Sequence, residues 1–293
     1  MTARRRLVRV PASSANLGPG YDVLAAALTL HLELEVSEAG EFSVEADGLD
    51  VPLDRDNLCV RAFEALRPAD GIAFRIRSEI PPAAGLGSSA AAIVAGLLAA
   101  DHLYEMALEP SDVLGFATEI EGHPDNVTAA LLGGFVVCDP AGGPATRLDP
   151  PQGVEAVAVI PEERVETRRA REAIPAQVDH EAAVSNVAAA AKLVLGIERS
   201  DPSLITAGLE PARERLHQRH RADLYPRSAE LLERSAELGA LGASISGAGP
   251  TVLVWSFWQS TGDVVAALRR EAGEWADVKR LPFSAMGADV PEL

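Results

Sequence analysis

The run with the densest chemistry is Pro81-Pro82-Ala83-Ala84-Gly85-Leu86-Gly87-Ser88-Ser89-Ala90-Ala91, which leads directly into an alanine-rich helical pattern. Gly85 and Gly87 let the backbone take conformations closed to other residues and come close to an anion. Ser88 and the first helical amides then offer unpaired N–H groups and the positive end of a helix dipole. A triphosphate could sit there. Unlike a Walker loop, the run has no Lys after its last glycine, so amides, serine hydroxyls and a metal ion would have to balance the charge. The same residues would also serve as a tight turn with a serine cap before a buried helix.

Two further segments hold polar groups among turn residues. In Pro11-Ala12-Ser13-Ser14-Ala15-Asn16-Leu17-Gly18-Pro19-Gly20-Tyr21-Asp22, Asn16 could donate and accept at a hydroxyl and Asp22 could pair with an ammonium group. An ordinary loop with Asx turns would explain that segment equally simply. Ser244-Ile245-Ser246-Gly247-Ala248-Gly249-Pro250-Thr251 lies between two expected strands and could bring backbone close to the phosphate loop, although a plain hairpin connection needs the same residue types.

The elements that must position these segments follow from periodicity. Alternation predicts strands at Leu7–Val10, Leu30–Val36, Phe42–Ala46 and Ile72–Arg77, with helices starting near Asn57 and Ser88. A helix over Ser111–Glu121, capped by Ser111, and a buried strand over Gly133–Cys138 follow. The proline- and glycine-rich stretch from Asp139 to Pro151 then divides the chain into expected domains at residues 1–150 and 151–293. Beyond it the pattern gives strands at Val154–Ile160, Ala243–Ser246 and Thr251–Phe257, and helices at Glu181–Leu195, Ile205–His217 and Arg227–Leu238.

Composition narrows the class of partner. A net charge of −17 argues against the broad basic face that a nucleic acid or an anionic membrane would need, so an anionic ligand is expected to be met locally. The most apolar run, Ala90–Ala100, is too short to span a bilayer and ends in Asp101 and His102. Arg4, Arg5 and Arg6 are followed by strand-like alternation rather than a signal-peptide core. Two cysteines, Cys59 and Cys138, are too few for a disulfide framework and sit among apolar neighbours. A cytoplasmic protein is expected.

All three glycine-bearing segments, in this order and at these separations, resemble the GHMP kinases, the group named for galactokinase, homoserine kinase, mevalonate kinase and phosphomevalonate kinase. Within that group Gly20-Tyr21-Asp22 is similar to the homoserine kinase branch, where sugar and mevalonate kinases usually carry Gly-Glu-His. Phe is usual at Tyr21, a difference from which no chemical consequence is expected. The resemblance implies two α+β domains, an N-terminal one with a left-handed βαβ unit and a C-terminal ferredoxin-like one, with the active site between them. It further implies ATP and Mg2+ as cofactors and L-homoserine as the small-molecule substrate, phosphorylated on its hydroxyl in threonine biosynthesis. Dimerisation is typical of such kinases.

Residue by residue, Glu119-Ile120-Glu121-Gly122-His123-Pro124-Asp125-Asn126-Val127 is similar to the branch's metal and substrate segment. By that match Glu121 would hold magnesium together with a serine hydroxyl, Ser89 in preference to Ser88. Many relatives place Asp at the position of Asn126. An amide cannot take the substrate's proton, so transfer would proceed by positioning and charge neutralisation without a strong side-chain base. The resemblance places Thr167, Arg171 and Arg221 at the substrate carboxylate, Asn16, Asp22 and Gly247 around the rest of the substrate, and Asn57 and Leu58 at the purine. Glu214 as the nearby acidic residue and Arg227 where Gly is frequent depart from the pattern. Solvated helix faces would account for both arginines as well. A kinase of an isoprenoid precursor would leave Asp22, Arg171 and Arg221 surplus, and a nucleotide-binding regulator without turnover would usually lack the carboxylate that Glu121 supplies.

Overall fold

The computed structural model describes residues 4–291 and contains two sheets. The first is built from β1 (Arg5–Ala15), β2 (Leu24–Glu38), β3 (Ser43–Ala46), β4 (Ile72–Ser78), β5 (Phe135–Val137) and β6 (Thr146–Leu148). Its order is β3-β4-β2-β5-β6, with β1 also paired to β2. Strand β1 is longer than its alternation predicts, because the chain bulges between Pro11 and Ala12 and resumes pairing through Ala15. Only Asn16 onward is therefore loop, and Ser13 and Ser14 are buried strand residues.

β3 and β4 run parallel and are joined through α1 (Leu58–Glu64), which forms the βαβ crossover of this half. α1 starts where it does because the Asn57 side chain accepts from the Cys59 amide at 2.9 Å. α2 (Ser88–Tyr104) is apolar on nearly every side and buried accordingly, its small residues allowing close neighbours. At Gly96 a Cβ would lie 2.2 Å from the Cys59 carbonyl of α1. α3 (Pro110–Glu121) begins at Pro110 rather than after Ser111, since a proline at the first helical position loses no intrahelical bond. Asp125 opens α4 (Asp125–Leu132).

The second sheet contains β7 (Val154–Pro161), β8 (Gly242–Ile245), β9 (Val252–Phe257) and β10 (Ala276–Arg280), in the order β10-β7-β9-β8 and antiparallel throughout. Helices α8 (Pro226–Arg234) and α9 (Thr261–Ala272) complete two split βαβ units, the ferredoxin-like arrangement. α9 and β10 are absent from the reading by periodicity. Between β7 and α8 lie α5 (Thr167–Glu172), α6 (His180–Arg199) and α7 (Pro202–Gly208). The helix expected over Ile205–His217 ends at Gly208, because Pro211 cannot continue it. The chain instead turns around Glu214, whose carboxylate accepts from the Leu216, His217 and Gln218 amides at 2.7–2.8 Å.

The two sheets share apolar packing. Phe135 of β5, Trp255 of β9 and Phe283 meet with ring centroids 4.6–5.5 Å apart. Beyond β10 the chain returns to the first sheet, pairing Phe283 with Leu28 and Asp289 with Arg9. Among the described residues no helix is long and apolar enough to cross a membrane.

Candidate active site

A cavity of about 600 Å³ is lined by residues of both halves. Its phosphate-type wall is the loop between β4 and α2. Gly87 caps α2 in the left-handed conformation at φ 69°, and among the described residues no side chain satisfies the helix's first amides. Those donors are therefore available to a ligand. Pro82, Ala83, Gly85, Leu86, Gly87, Ser88 and Ser89 border the cavity, so the loop is open rather than packed shut. Pro81, Ala84, Ala90 and Ala91 do not border it: the three alanines turn into the core, and Pro81 lies off the rim.

The Ser244–Thr251 segment is both a hairpin connection and a brace for this loop. Ser246 Oγ donates to the Gly85 carbonyl at 2.6 Å and lies 2.8 Å from Ser14 Oγ, from which it can accept. A Cβ on Gly85 would lie 2.3 Å from the Ser246 carbonyl, and one on Gly87 would lie 2.1 Å from Ser13 Oγ. Glycine is thus required at both positions by space as well as by φ.

At the end of α3, Glu121 Oε1 accepts from Ser89 Oγ at 2.6 Å. Burial pushes the Glu121 carboxyl above its ordinary value, partly opposed by that hydrogen bond and by His123. No Lys or Arg among the described residues pairs with it within 4.0 Å. A desolvated carboxylate beside a hydroxyl, short of positive charge, fits a hard divalent cation, and Ser89 rather than Ser88 is the hydroxyl that meets it. Asn126 is buried, with Oδ1 accepting from Ser13 Oγ at 2.9 Å and Nδ2 without a protein partner among the described residues.

Sequence reasoning missed the neighbouring pair His123 and Asp125, which also borders the cavity. Asp125 Oδ1 lies 2.9 Å from His123 Nδ1, and this hydrogen bond raises the imidazole's pKa against burial. The pair thus places an imidazole and a carboxylate on the cavity beside a glycine loop that has no cationic side chain of its own. The signal was available in the spacing of the His-Pro-Asp-Asn run, but a carboxylate two residues from a His reads as an ordinary turn.

Toward the second sheet, the Asp22 carboxylate is held bidentately by Arg171, at 2.7 and 2.9 Å. Arg171 Nη1 also donates to the Tyr21 phenol at 2.9 Å, so the Tyr at this position does have a chemical consequence. Arg221 is not on a solvated face. It is 2% exposed, and donates from Nε to the Ala170 carbonyl at 3.0 Å and from Nη1 to the Gly247 carbonyl at 2.9 Å. Asn16 Nδ2 donates to the same Gly247 oxygen at 2.8 Å, while its Oδ1 accepts from the Asp22 amide. Thr167, at the start of α5, is exposed and borders the cavity with Arg171.

The opposite end is apolar, walled by Leu32, Leu49, Val51, Leu58, Ile76 and Ile80. Asn57 borders it too, but its side chain is committed to the α1 cap and to the Pro52 carbonyl at 2.8 Å. What it contributes is placement of Leu58. The stretch from Gly48 to Pro52 carries no motif, and its part in this wall was invisible in the sequence.

Fold and cleft together define a class. Residues 57–134 match the family described as GHMP kinases N terminal domain, and residues 193–275 that described as GHMP kinases C terminal. Full-length relatives then narrow it. The chain is 36% identical to the homoserine kinase of Moorella thermoacetica, covering 97% of this chain and 99% of the relative. It is 40% identical to that of Streptomyces avermitilis, covering 98% and 95%. The crystal structure of the homoserine kinase from Cytophaga hutchinsonii superposes with a TM-score of 0.87 at 28% identity, over 98% of this chain and 97% of that one. The chain belongs to the homoserine kinase family of the GHMP kinases.

Proposed function

We propose that the protein transfers the γ-phosphoryl group of ATP to the hydroxyl of L-homoserine, releasing ADP and O-phospho-L-homoserine, as a step of threonine biosynthesis in the cytoplasm. The observation that carries this reading is the placement of Asp22, Arg171 and Arg221 on the cavity that also contains the Gly85–Ser89 loop. A zwitterion with a terminal hydroxyl needs an acceptor for its amine and cations for its carboxylate. An isoprenoid precursor has no use for the first. The two buried free thiols are consistent with a reducing compartment.

In this reading the loop amides and Ser88 receive the phosphates, and the purine lies against the apolar wall that includes Leu58. Glu121 and Ser89 would hold Mg2+, which when bound neutralises phosphate charge and screens it from the acidic protein. Asp22 takes the ammonium group, Arg171 and Arg221 the carboxylate, and Thr167 and Asn16 line the substrate's path. Residues 1–150 supply the nucleotide side and residues 151–293 the guanidinium pair.

Asn126 orients the hydroxyl through its free Nδ2. It cannot act as a base, so the proton passes to phosphate oxygen or solvent as the new O–P bond forms and the β–γ bridging bond breaks. Positioning in line with the γ-phosphate then supplies much of the rate. A coupled ADP-release assay with homoserine, mevalonate and a sugar alcohol, each with and without Mg2+, tests this. Turnover with homoserine alone, dependent on Mg2+, is expected. Preference for mevalonate, or ATP binding without ADP release for any of the three, would replace the reading with one of its alternatives.

A further inference from the structure

Besides the Asp22 carboxylate and backbone carbonyls, the two guanidinia assigned to the substrate carboxylate meet two side chains that do not border the cavity, Tyr21 and His217. Among the described residues Arg221 donates to neutral acceptors, two backbone carbonyls and His217 Nδ1 at 3.3 Å. Among the described residues no carboxylate pairs with it within 4.0 Å. A buried cation supported in this way keeps its charge for a ligand, whereas a carboxylate neighbour would have neutralised it in advance.

The tautomer of His217 follows from its contacts. Nε2 lies 2.7 Å from the Gly18 carbonyl, which can only accept, so Nε2 carries the proton and Nδ1 offers its lone pair to Arg221. Burial favours the neutral ring, and Arg221 reinforces it. Glu214, 3.9 Å away, and Asp22 pull in the other direction. The imidazole leans on the Tyr21 ring at 5.2 Å between centroids and 34° between planes. That ring in turn lies 5.6 Å from the Arg171 guanidinium carbon and 5.4 Å from that of Arg221, while its oxygen accepts from Arg171.

We propose that Tyr21 and His217 are positioning residues, a neutral frame that fixes the Arg171 and Arg221 guanidinia relative to one another so that both can meet one substrate carboxylate. The proposal rests on the homoserine reading and deepens it to how the substrate is recognised.

Three variants separate this frame from a general role in folding. In His217→Gln the amide nitrogen sits near the place of Nε2, keeping the Gly18 contact and losing the acceptor for Arg221. His217→Asn does the reverse, its carbonyl oxygen standing near Nδ1. The homoserine KM is expected to rise about tenfold in the Gln variant and about threefold or less in the Asn variant. Tyr21→Phe, which loses one oxygen, should raise it about threefold. The ATP KM should stay within about twofold throughout.

Equal homoserine KM values for Gln and Asn, or an ATP KM rising in parallel, overturn the frame. So does an unchanged homoserine KM in Tyr21→Phe, which decides alone should a histidine variant not fold. A wild-type protein that turns over no homoserine overturns the function reading beneath it, a result visible before any variant is made.

Discussion

In the proposed reading the two ends of the cavity solve the same problem, holding an anion in a protein of net charge −17, by opposite means. The nucleotide end uses backbone: the Gly85–Ser89 loop and the first turn of α2 contribute amides and hydroxyls and not one cationic side chain. The substrate end uses side chains, with Arg171 and Arg221 brought together from segments 50 residues apart and faced by Asn16, Tyr21 and Asp22 from the other half. Backbone donors stay where the helix puts them and tolerate almost any substitution that keeps the glycines. Guanidinia must be aimed by their neighbours, so this end should be the more sensitive to single side-chain changes.

The difference is tested most severely at Glu121. With no Lys in the loop, the phosphates depend on a metal for charge compensation, and the loss of its carboxylate should cost about a thousandfold or more in turnover. Because burial holds that carboxyl above its ordinary value, its negative charge opposes folding at neutral pH. Glu121→Gln is therefore expected to keep or raise the melting temperature while abolishing Mg2+-dependent ADP release. A lower melting temperature together with normal turnover would remove Glu121 from the metal's surroundings.

Next in size is Arg171→Lys. The bidentate grip on Asp22, at 2.7 and 2.9 Å, needs a planar fork that an ammonium group cannot reproduce. The homoserine KM should rise about thirtyfold or more with the ATP KM unchanged, since about 2 kcal/mol attaches to a charge-assisted pair. Equal movement of both constants would mean that the two ends are not independent.

Gly85→Ala probes the backbone end directly. Its Cβ would lie 2.3 Å from the Ser246 carbonyl at a φ of 80°, so the loop must part from its brace. A loss of about 1–3 kcal/mol in stability is expected by denaturant titration, accompanied by a higher ATP KM. An unchanged ATP KM would place the phosphates elsewhere.

The same contrast explains what could be read in advance. The phosphate loop was legible because glycines, serines and the start of α2 are contiguous, and local sequence dictates local backbone. Arg171 and Arg221 could be named only through resemblance, since nothing in Thr167–Glu172 or Leu216–Arg221 distinguishes an aimed guanidinium from a solvated one. Even the helix expected around His217 was wrong: Pro211 and the Glu214 carboxylate turn the chain there instead. The wall from Gly48 to Pro52 was illegible for a different reason, carrying no motif. Tyr21 was read as an inert change from Phe because its partner, Arg171, lies 150 positions along the chain.

The smallest expected effect concerns pH and belongs wholly to the substrate end. His217 is fully buried, and desolvation, helped by the positive charge of Arg221, lowers its pKa below the ordinary value of 6.5 against the pull of Glu214 and Asp22. As pH falls through 6.5, the unfolded chain takes up a proton that the folded protein refuses, so the unfolded state binds more protons and stability decreases. The contribution is complete above about pH 6.5 and declines below it with a slope of at most about 1.4 kcal/mol per pH unit, until the folded imidazole itself titrates. His217→Asn has nothing to titrate there. Denaturant titrations at pH 7.5 and pH 5.5 should therefore show a smaller loss for the variant than for the wild type, by up to about 1 kcal/mol. If both lose equally, the folded His217 takes up its proton as readily as the unfolded chain does and is charged at pH 5.5. Its Nδ1 could then not accept from Arg221, and the neutral support of that guanidinium would be gone.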